Sequence, residues 1–233
     1  MAIFGMLLAP THGFADDREV SIVLAGDSTV ADWAKEKPAR GWGQVLAPLL
    51  SDNVRVINLA VCGASTKTFP ATGNWKRAVE HKPEFVFIQF GHNDSHAPSL
   101  PEATGAEGEF TTNLERYISE ARAAGIVPVL ITPMHRRMFG PEGRLTEELA
   151  PYAAAVRNVA KTNQVPLIDL YASSGELLTR LGEAGSASLT VSDKDRTHFT
   201  EVGAGVMAGL VVEGMRNASP DVAKLVRANP STP

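Results

Sequence analysis

Five short apolar runs, each ending in a polar or turn-forming cluster, constrain this chain more than any other feature of its sequence: residues 20–25, 54–59, 85–90, 126–131 and 165–170. Runs of this length, rich in β-branched residues and without strict polar alternation, read as strands buried on both faces of a parallel sheet. Parallel neighbours cannot be joined by a hairpin, so crossover segments must intervene. Helical patterns occupy those intervals. Residues 44–50 and 75–81 are short examples, residues 111–124 align Leu114, Ile118 and Ala121 before Gly125, and residues 146–162 align Leu149, Tyr152, Val156 and Val159. Further helices are expected near 174–181 and 201–215, with one more turn beyond Asn217. The third run is the most apolar and belongs near the sheet centre, whereas Pro166 suits the fifth to an edge. The expected architecture is a three-layer α/β/α domain over residues 18–233.

Composition narrows the function classes. A net charge of -4 gives no electrostatic case for nucleic acid. No apolar stretch approaches the ~20 residues that cross a bilayer, so no stable membrane insertion is expected. A single cysteine, Cys62, excludes an internal disulfide framework and a multi-cysteine zinc site within one chain. Residues 2–9 are apolar, and Gly13-Phe14-Ala15 before Asp16-Asp17 resembles a signal-peptidase site with no Lys or Arg ahead of Arg18, so residues 1–17 read as a signal segment short of its basic start or as a loosely packed, disordered tail; the first reading leads to an expected secreted or periplasmic location.

In open α/β sheets, ligands bind at the carboxyl ends of the strands. Four separated polar clusters fall there or close to it: Gly26-Asp27-Ser28-Thr29, Gly63, Gly91-His92-Asn93-Asp94, and Asp195-Arg196-Thr197-His198. Taken singly, each has a plain structural reading as a helix cap, an Asx turn or a surface histidine. Together they supply what acyl transfer from an ester requires. A serine hydroxyl (Ser28) needs a base (His198), and the base needs an acceptor (Asp195) to fix its tautomer. Charge developing on the carbonyl oxygen needs preorganised donors, a role suited to the N–H groups of Ser28 and Gly63 and the Asn93 amide.

These clusters resemble the four sequence blocks of the SGNH, or GDSL-type, hydrolases. Beyond them, Gly26-Asp27-Ser28-Thr29-Val30, Gly41-Trp42-Gly43-Gln44, Asn58-Leu59-Ala60, Ser65-Thr66-Lys67-Thr68-Phe69, Gln89-Phe90-Gly91-His92-Asn93-Asp94, Thr132-Pro133 with Arg136-Arg137, and the closing Asp195-x-x-His198-Phe199 are similar to the rhamnogalacturonan acetylesterase branch, carbohydrate esterase family 12. The likeness spans about residues 20–215. It implies a flavodoxin-like fold of strand order 2-1-3-4-5 and a serine esterase without metal or other cofactor. Its partner would be an acetylated polysaccharide or oligosaccharide, most directly acetylated rhamnogalacturonan in pectin degradation. By position, Ser28 is the implied nucleophile, His198 the base, Asp195 its orienting group, and Ser28, Gly63 and Asn93 the oxyanion hole. One position departs: family members often carry arginine after the second-block glycine, where this chain has Ala64.

The core blocks are shared across the superfamily, so acetylated xylan, a short acyl ester or a lysophospholipid are alternative substrates, and a glycan-binding module on an inactive esterase scaffold is an alternative of another class. Asp27, His92, Trp33, Trp75, Arg136 and Arg137 are candidate substrate contacts: the indoles could stack on sugars, and the arginines could meet uronate carboxylates or simply form a solvated basic loop. Trp42 reads as core. Cys62 reads as a buried, inert thiol. His92 and His96, with Asp94 between them, have a metal-ligand spacing but follow a strand and precede Pro98, which does not suit helical ligation. No Gly-x-Ser-x-Gly elbow, Walker A loop or Gly-x-Gly-x-x-Gly dinucleotide motif occurs.

Overall fold

The computed structural model describes residues 18–228, so the expected signal segment 1–17 lies outside the described residues. The elements are β1 (Val20–Gly26), β2 (Val54–Asn58), α1 (Asn74–Glu80), β3 (Phe85–Gln89), α2 (Glu109–Ala123), β4 (Val127–Ile131), α3 (Ala150–Asn163), β5 (Leu167–Ile168), α4 (Leu170–Gly185), α5 (Glu201–Ala218) and α6 (Pro220–Ala223). The strands form one five-stranded sheet in the order β2-β1-β3-β4-β5, with every pairing parallel. β3 is the central strand and β5 an edge, as its composition and Pro166 suggested. No helix of the described residues is long and apolar enough to cross a membrane.

Strand periodicity divides the core into two layers. Successive side chains leave a strand on opposite faces. Ile22, Leu24, Phe85, Phe87, Val129 and Ile131 therefore pack with Met207, Val211 and Met215 of α5. Val23, Ala25, Val86, Ile88 and Leu130 pack with Leu114 and Ile118 of α2 and Val156 and Val159 of α3. Burying one such side chain contributes roughly 1.5–3 kcal/mol, so the two layers hold the sheet from both sides.

Several boundaries differ from the sequence reading for local reasons. Residues 44–50 form two 3-10 turns, Trp42–Val45 and Ala47–Leu49, instead of a helix. Pro48, which lacks an N–H donor, interrupts any continuous ladder there. The helix expected from 146 begins at Ala150, with Pro151 in its first turn. The residues before it form a small hairpin, tied by Gly140 N–H to Arg144 O at 2.8 Å and Thr146 N–H to Met138 O at 2.9 Å. The fifth strand shrinks to two residues because Asp169 caps α4 by accepting from the Ala172 N–H at 3.2 Å. The next helix consequently starts at Leu170 rather than near 174.

The amino end of α5 is locked against residues 188–189. Thr200 caps it, accepting from the Gly203 N–H at 3.2 Å and donating its hydroxyl to Ser188 O at 2.8 Å. Gly203 lies so close to Leu189 that an added Cβ would sit 1.9 Å from the Leu189 carbonyl oxygen, a backbone atom that cannot swing aside. Gly203→Ala is expected to lower unfolding free energy by about 1–3 kcal/mol, as overpacking does. The shift of the urea midpoint measures it, and an unchanged midpoint would contradict the close docking of α5.

Candidate active site

The carboxyl end of β1 turns sharply at Asp27. Its Oδ1 accepts from the Thr29 N–H at 2.9 Å and the Thr29 hydroxyl at 2.7 Å. The Asp27 carbonyl accepts from the Val30 and Ala31 N–H groups at 3.1 and 3.0 Å. Beneath this turn Gln89 donates to the Thr29 hydroxyl at 2.8 Å and accepts from the Trp42 indole at 2.7 Å. Trp42 is thus a core residue, as expected, with its one polar atom satisfied.

The turn presents Ser28. Its Oγ lies 2.9 Å from His198 Nε2, across 170 residues of sequence. On the far side of the ring, His198 Nδ1 is 3.0 Å from Asp195 Oδ2 and 3.1 Å from Oδ1. A carboxylate can only accept, so Nδ1 carries the proton and Nε2 is left to accept from the serine hydroxyl. The Asp195 carboxylate also takes the backbone N–H groups of Thr197 at 3.3 Å and His198 at 3.1 Å. Burial opposes its ionisation most strongly, but these N–H groups and the His198 ring outweigh it and hold the carboxyl below its ordinary range. The connected groups can move a proton from Ser28 to His198 while Asp195 stays ionised.

Trp33 joins this group. Its indole N–H donates to the Ser28 carbonyl at 2.9 Å, and its ring meets the His198 ring edge-on at 5.2 Å. Gln44 grips the Trp33 backbone from both sides, at 3.1 Å each. Trp33 therefore buttresses the serine turn and the histidine, and nothing in its spacing from Ser28 announces that.

The loop after β2 is stitched to β1 by the Leu59 N–H to Leu24 O at 3.0 Å and the Val61 N–H to Gly26 O at 2.9 Å. It brings in Gly63 at φ +79°, with nothing within 4 Å of where a Cβ would stand. That positive φ is the reason for glycine here. Among the described residues the N–H groups of Ser28 and Gly63 have no protein acceptor. Asn93 donates one amide hydrogen to Ala64 O at 2.8 Å, which orients the amide and leaves its second hydrogen free. Ala64 itself is buried in the apolar layer against α2. Cys62 is exposed, correcting the expectation of a buried thiol, because the 61–63 turn lies at the open sheet edge.

Other candidate contacts are occupied elsewhere. Asp27 and His92 are both buried and face each other, His92 Nδ1 to Asp27 Oδ2 at 3.5 Å. Burial resists the Asp27 charge most, yet His92 and the Thr29 donors hold its carboxyl below the usual range. The two side chains bring the first and third blocks together, while Asp27 Oδ2 and both ring nitrogens of His92 are buried with no hydrogen-bond partner among the described residues. His96 bonds Glu102 at 2.7 Å, so it does not converge with His92, and the described residues contain no cluster of three metal-ligating side chains. Trp75 is buried against Tyr117, ring centroids 4.5 Å apart, with its indole N–H on Glu120, so it serves α1–α2 packing. Arg136 donates to His92 O at 2.9 Å and lies 3.7 Å from Glu148. Arg137 is 1% exposed, and its guanidinium is spent on Thr190 Oγ1 at 2.8 Å, Glu183 O at 3.0 Å and Asp193 Oδ1 at 2.8 Å. Neither arginine forms a solvated basic loop; Arg137 anchors the segment that leads to Asp195.

Asp94, next to Asn93, is fully buried. It accepts from the Thr66 hydroxyl at 2.5 Å, the Thr66 N–H at 3.1 Å and the Thr104 hydroxyl at 2.8 Å. Burial dominates and, with repulsion from Asp27, pushes its carboxyl up to about 6 despite those donors. A folded-state value above the ordinary 3.8 means that the native chain holds this proton longer than the unfolded one. The associated stability is present below about pH 4 and is lost as pH rises through about 6. Asp94→Asn removes this titration. Relative to that variant, the wild type is expected to lose ~2 kcal/mol of unfolding free energy between pH 4 and pH 7.5. Urea unfolding at both pH values checks it; a constant difference would show that Asp94 titrates normally.

The GDSL-like lipase/acylhydrolase family matches residues 24–206. The rhamnogalacturonan acetylesterase RhgT of Bacillus subtilis (strain 168) is 37% identical over 213 residues, covering 85% of this chain and 90% of its own. A second Bacillus subtilis protein, the probable rhamnogalacturonan acetylesterase YesY, is 34% identical over 200 residues, covering 84% and 92%. Among solved structures, that of the Bacillus subtilis protein YxiM superposes with a TM-score of 0.76 at 26% identity, over 85% of this chain and 56% of that longer one.

Proposed function

The chain belongs to the GDSL-like lipase/acylhydrolase family and is a carboxylic ester hydrolase; on that premise we propose that it removes O-acetyl groups from a plant cell-wall polysaccharide, acetylated rhamnogalacturonan, through an acetyl-enzyme on Ser28. The observation that carries the chemistry is the continuous contact Ser28–His198–Asp195. The polymer is suggested by the naming of two relatives that match most of the chain. With the signal-like residues 1–17, this reading extends to an enzyme that acts in the periplasm or outside the cell.

In this reading Ser28 Oγ attacks the acetyl carbonyl as His198 Nε2 takes its proton. The tetrahedral oxyanion is held by the N–H groups of Ser28 and Gly63 and the free amide hydrogen of Asn93. Collapse expels the sugar oxygen, which takes the proton back from His198. Water then attacks the acetyl-enzyme with His198 again as base, releasing acetate and restoring Ser28. Asp195 stays ionised throughout and stabilises the imidazolium. Trp33 limits the swing of the ring, and Asp27 with His92 keeps the serine turn in register with Asn93.

Acetate release from acetylated rhamnogalacturonan, beside acetylated xylan, tests the proposal. Ser28→Ala is expected to lower kcat by at least about 10⁴-fold with the fold intact, and Asn93→Ala by about 10²-fold. Unchanged turnover in Ser28→Ala would sink the mechanism. A preference for xylan would leave the mechanism standing and overturn the polymer assignment.

A further inference from the structure

Asn93 brings a side-chain donor to the oxyanion hole, so its aim depends on how the turn that carries it is held. Some of the contacts there are local. The Ser95 N–H donates to Gly91 O at 3.0 Å, the His96 N–H to Asn93 O at 3.1 Å, and the Ser95 hydroxyl to His92 O at 2.9 Å. These bonds set the shape of the turn but not its place relative to Ser28, because both partners of each lie within the turn and move with it. Placement needs contacts from other elements. The residue after Asn93, Asp94, is tied to Thr66 and Thr104. The peptide before Asn93 is held from the loop that follows β4. Gln89 and Ile131 pair at the ends of β3 and β4, so the two loops leave the sheet side by side. Pro133 meets Gly91 so closely that an added Cβ would lie 2.8 Å from its Cγ. Three residues on, Arg136 donates to His92 O at 2.9 Å, and that carbonyl belongs to the peptide group that enters Asn93. The guanidinium also faces Glu148 at 3.7 Å, and with its side chain only 13% exposed it is shielded from the solvent that weakens surface ion pairs.

We propose that Arg136 is a positioning residue for the oxyanion hole: its charged hydrogen bond to the His92 carbonyl fixes the peptide entering Asn93 and so aims the free amide hydrogen at the developing oxyanion. This role rests on the reading of Ser28 as nucleophile and Asn93 as oxyanion donor, and adds what holds that donor in place. A charged donor binds a carbonyl about twice as strongly as a neutral one, so Arg136 constrains this peptide more than the Ser95 hydroxyl does. Small errors of placement matter, since a shift of about 1 Å in a reacting group can lower a rate about 10²-fold. Arg137, the next residue, holds the segment leading to Asp195 and His198. Two consecutive arginines of one loop therefore brace the two arms of the site, one moving the proton and one receiving the negative charge.

Steady-state kinetics on 4-nitrophenyl acetate, a neutral ester without a sugar, tests the assignment. Arg136→Met is expected to lower kcat about tenfold and to change KM less than about twofold, because the amide is misaimed only where it acts, in the transition state. The Ser95 hydroxyl still satisfies the His92 carbonyl in this variant, and far-UV circular dichroism checks that the fold is kept. In the Asn93→Ala background the same substitution is expected to change kcat less than about twofold, since no amide remains to be aimed. Equal losses in both backgrounds, or an unchanged kcat in the first, would overturn the role. Glu148→Gln, at the exposed end of the arginine, gives a milder and independent form of the test: about a twofold loss of kcat with Asn93 present and none without it. A loss from Glu148→Gln that persists without Asn93 counts against the proposal. So does an effect of Arg136→Met confined to KM on charged oligosaccharides, which would mark a substrate contact. Failure of the underlying reading looks different: Ser28→Ala or Asn93→Ala would turn over 4-nitrophenyl acetate as fast as the wild type.

Discussion

The parallel pairing of β1 with β2 and β3 is the constraint from which the rest of the site follows. The pairs Leu24↔Asn58 and Gly26↔Gln89 bring three strand ends to one edge in register. Three turns, carrying Ser28, Gly63 and Asn93, consequently emerge side by side. Each is then tied to its neighbour by a short polar link: Val61 N–H to Gly26 O, Asn93 to Ala64 O, and Gln89 to Thr29. Because these links are buried or nearly so, breaking one strands a donor or acceptor away from water, and the turns hold one relative placement.

The histidine arrives by a different route. It is 170 residues from Ser28 and does not follow one of the sheet's central strands. Its position depends on α5 docking closely over the sheet and on the segment before it being pinned from the outside. Arg137, projecting from the loop after β4, performs that pinning with three side-chain contacts and its own N–H to Arg196 O. A buried arginine with its donors satisfied is tolerable where an unpaired one would not be.

Three aspartates within this small region show how environment separates chemically identical groups. All three lose favourable solvation, which taken alone would raise each. Asp27 and Asp195 each face a histidine and accept from backbone N–H groups, and both end below their ordinary range. Asp94 has only neutral hydroxyl and N–H donors and lies near the Asp27 charge, so it ends above. Asp27 and Asp195 are thereby suited to stay ionised around the serine and histidine. Asp94 acts as a joint between the loops of Thr66 and Thr104.

What the sequence determined by itself was whatever is encoded locally: the β-branched runs, their parallel mode, the central place of the third strand, and the block residues at the strand ends. Those are legible because period, turn chemistry and motif spacing act over a few residues. Tertiary structure alone decided which polar side chains turn inward. His92, Arg137 and Trp75 each look like surface chemistry in one dimension, yet each finds its partner on a distant element: Asp27, the 183–193 segment and Glu120. Cys62 went the other way, out to the open edge. Local capping also overrode strand propensity at Asp169, and Pro48 broke a helix whose apolar pattern was otherwise sound. The buttressing of His198 by Trp33 was invisible for the same reason as the rest. A hydrogen bond or ring contact across the fold is chosen by where the backbone places two groups, and the amino-acid order near either one does not record it.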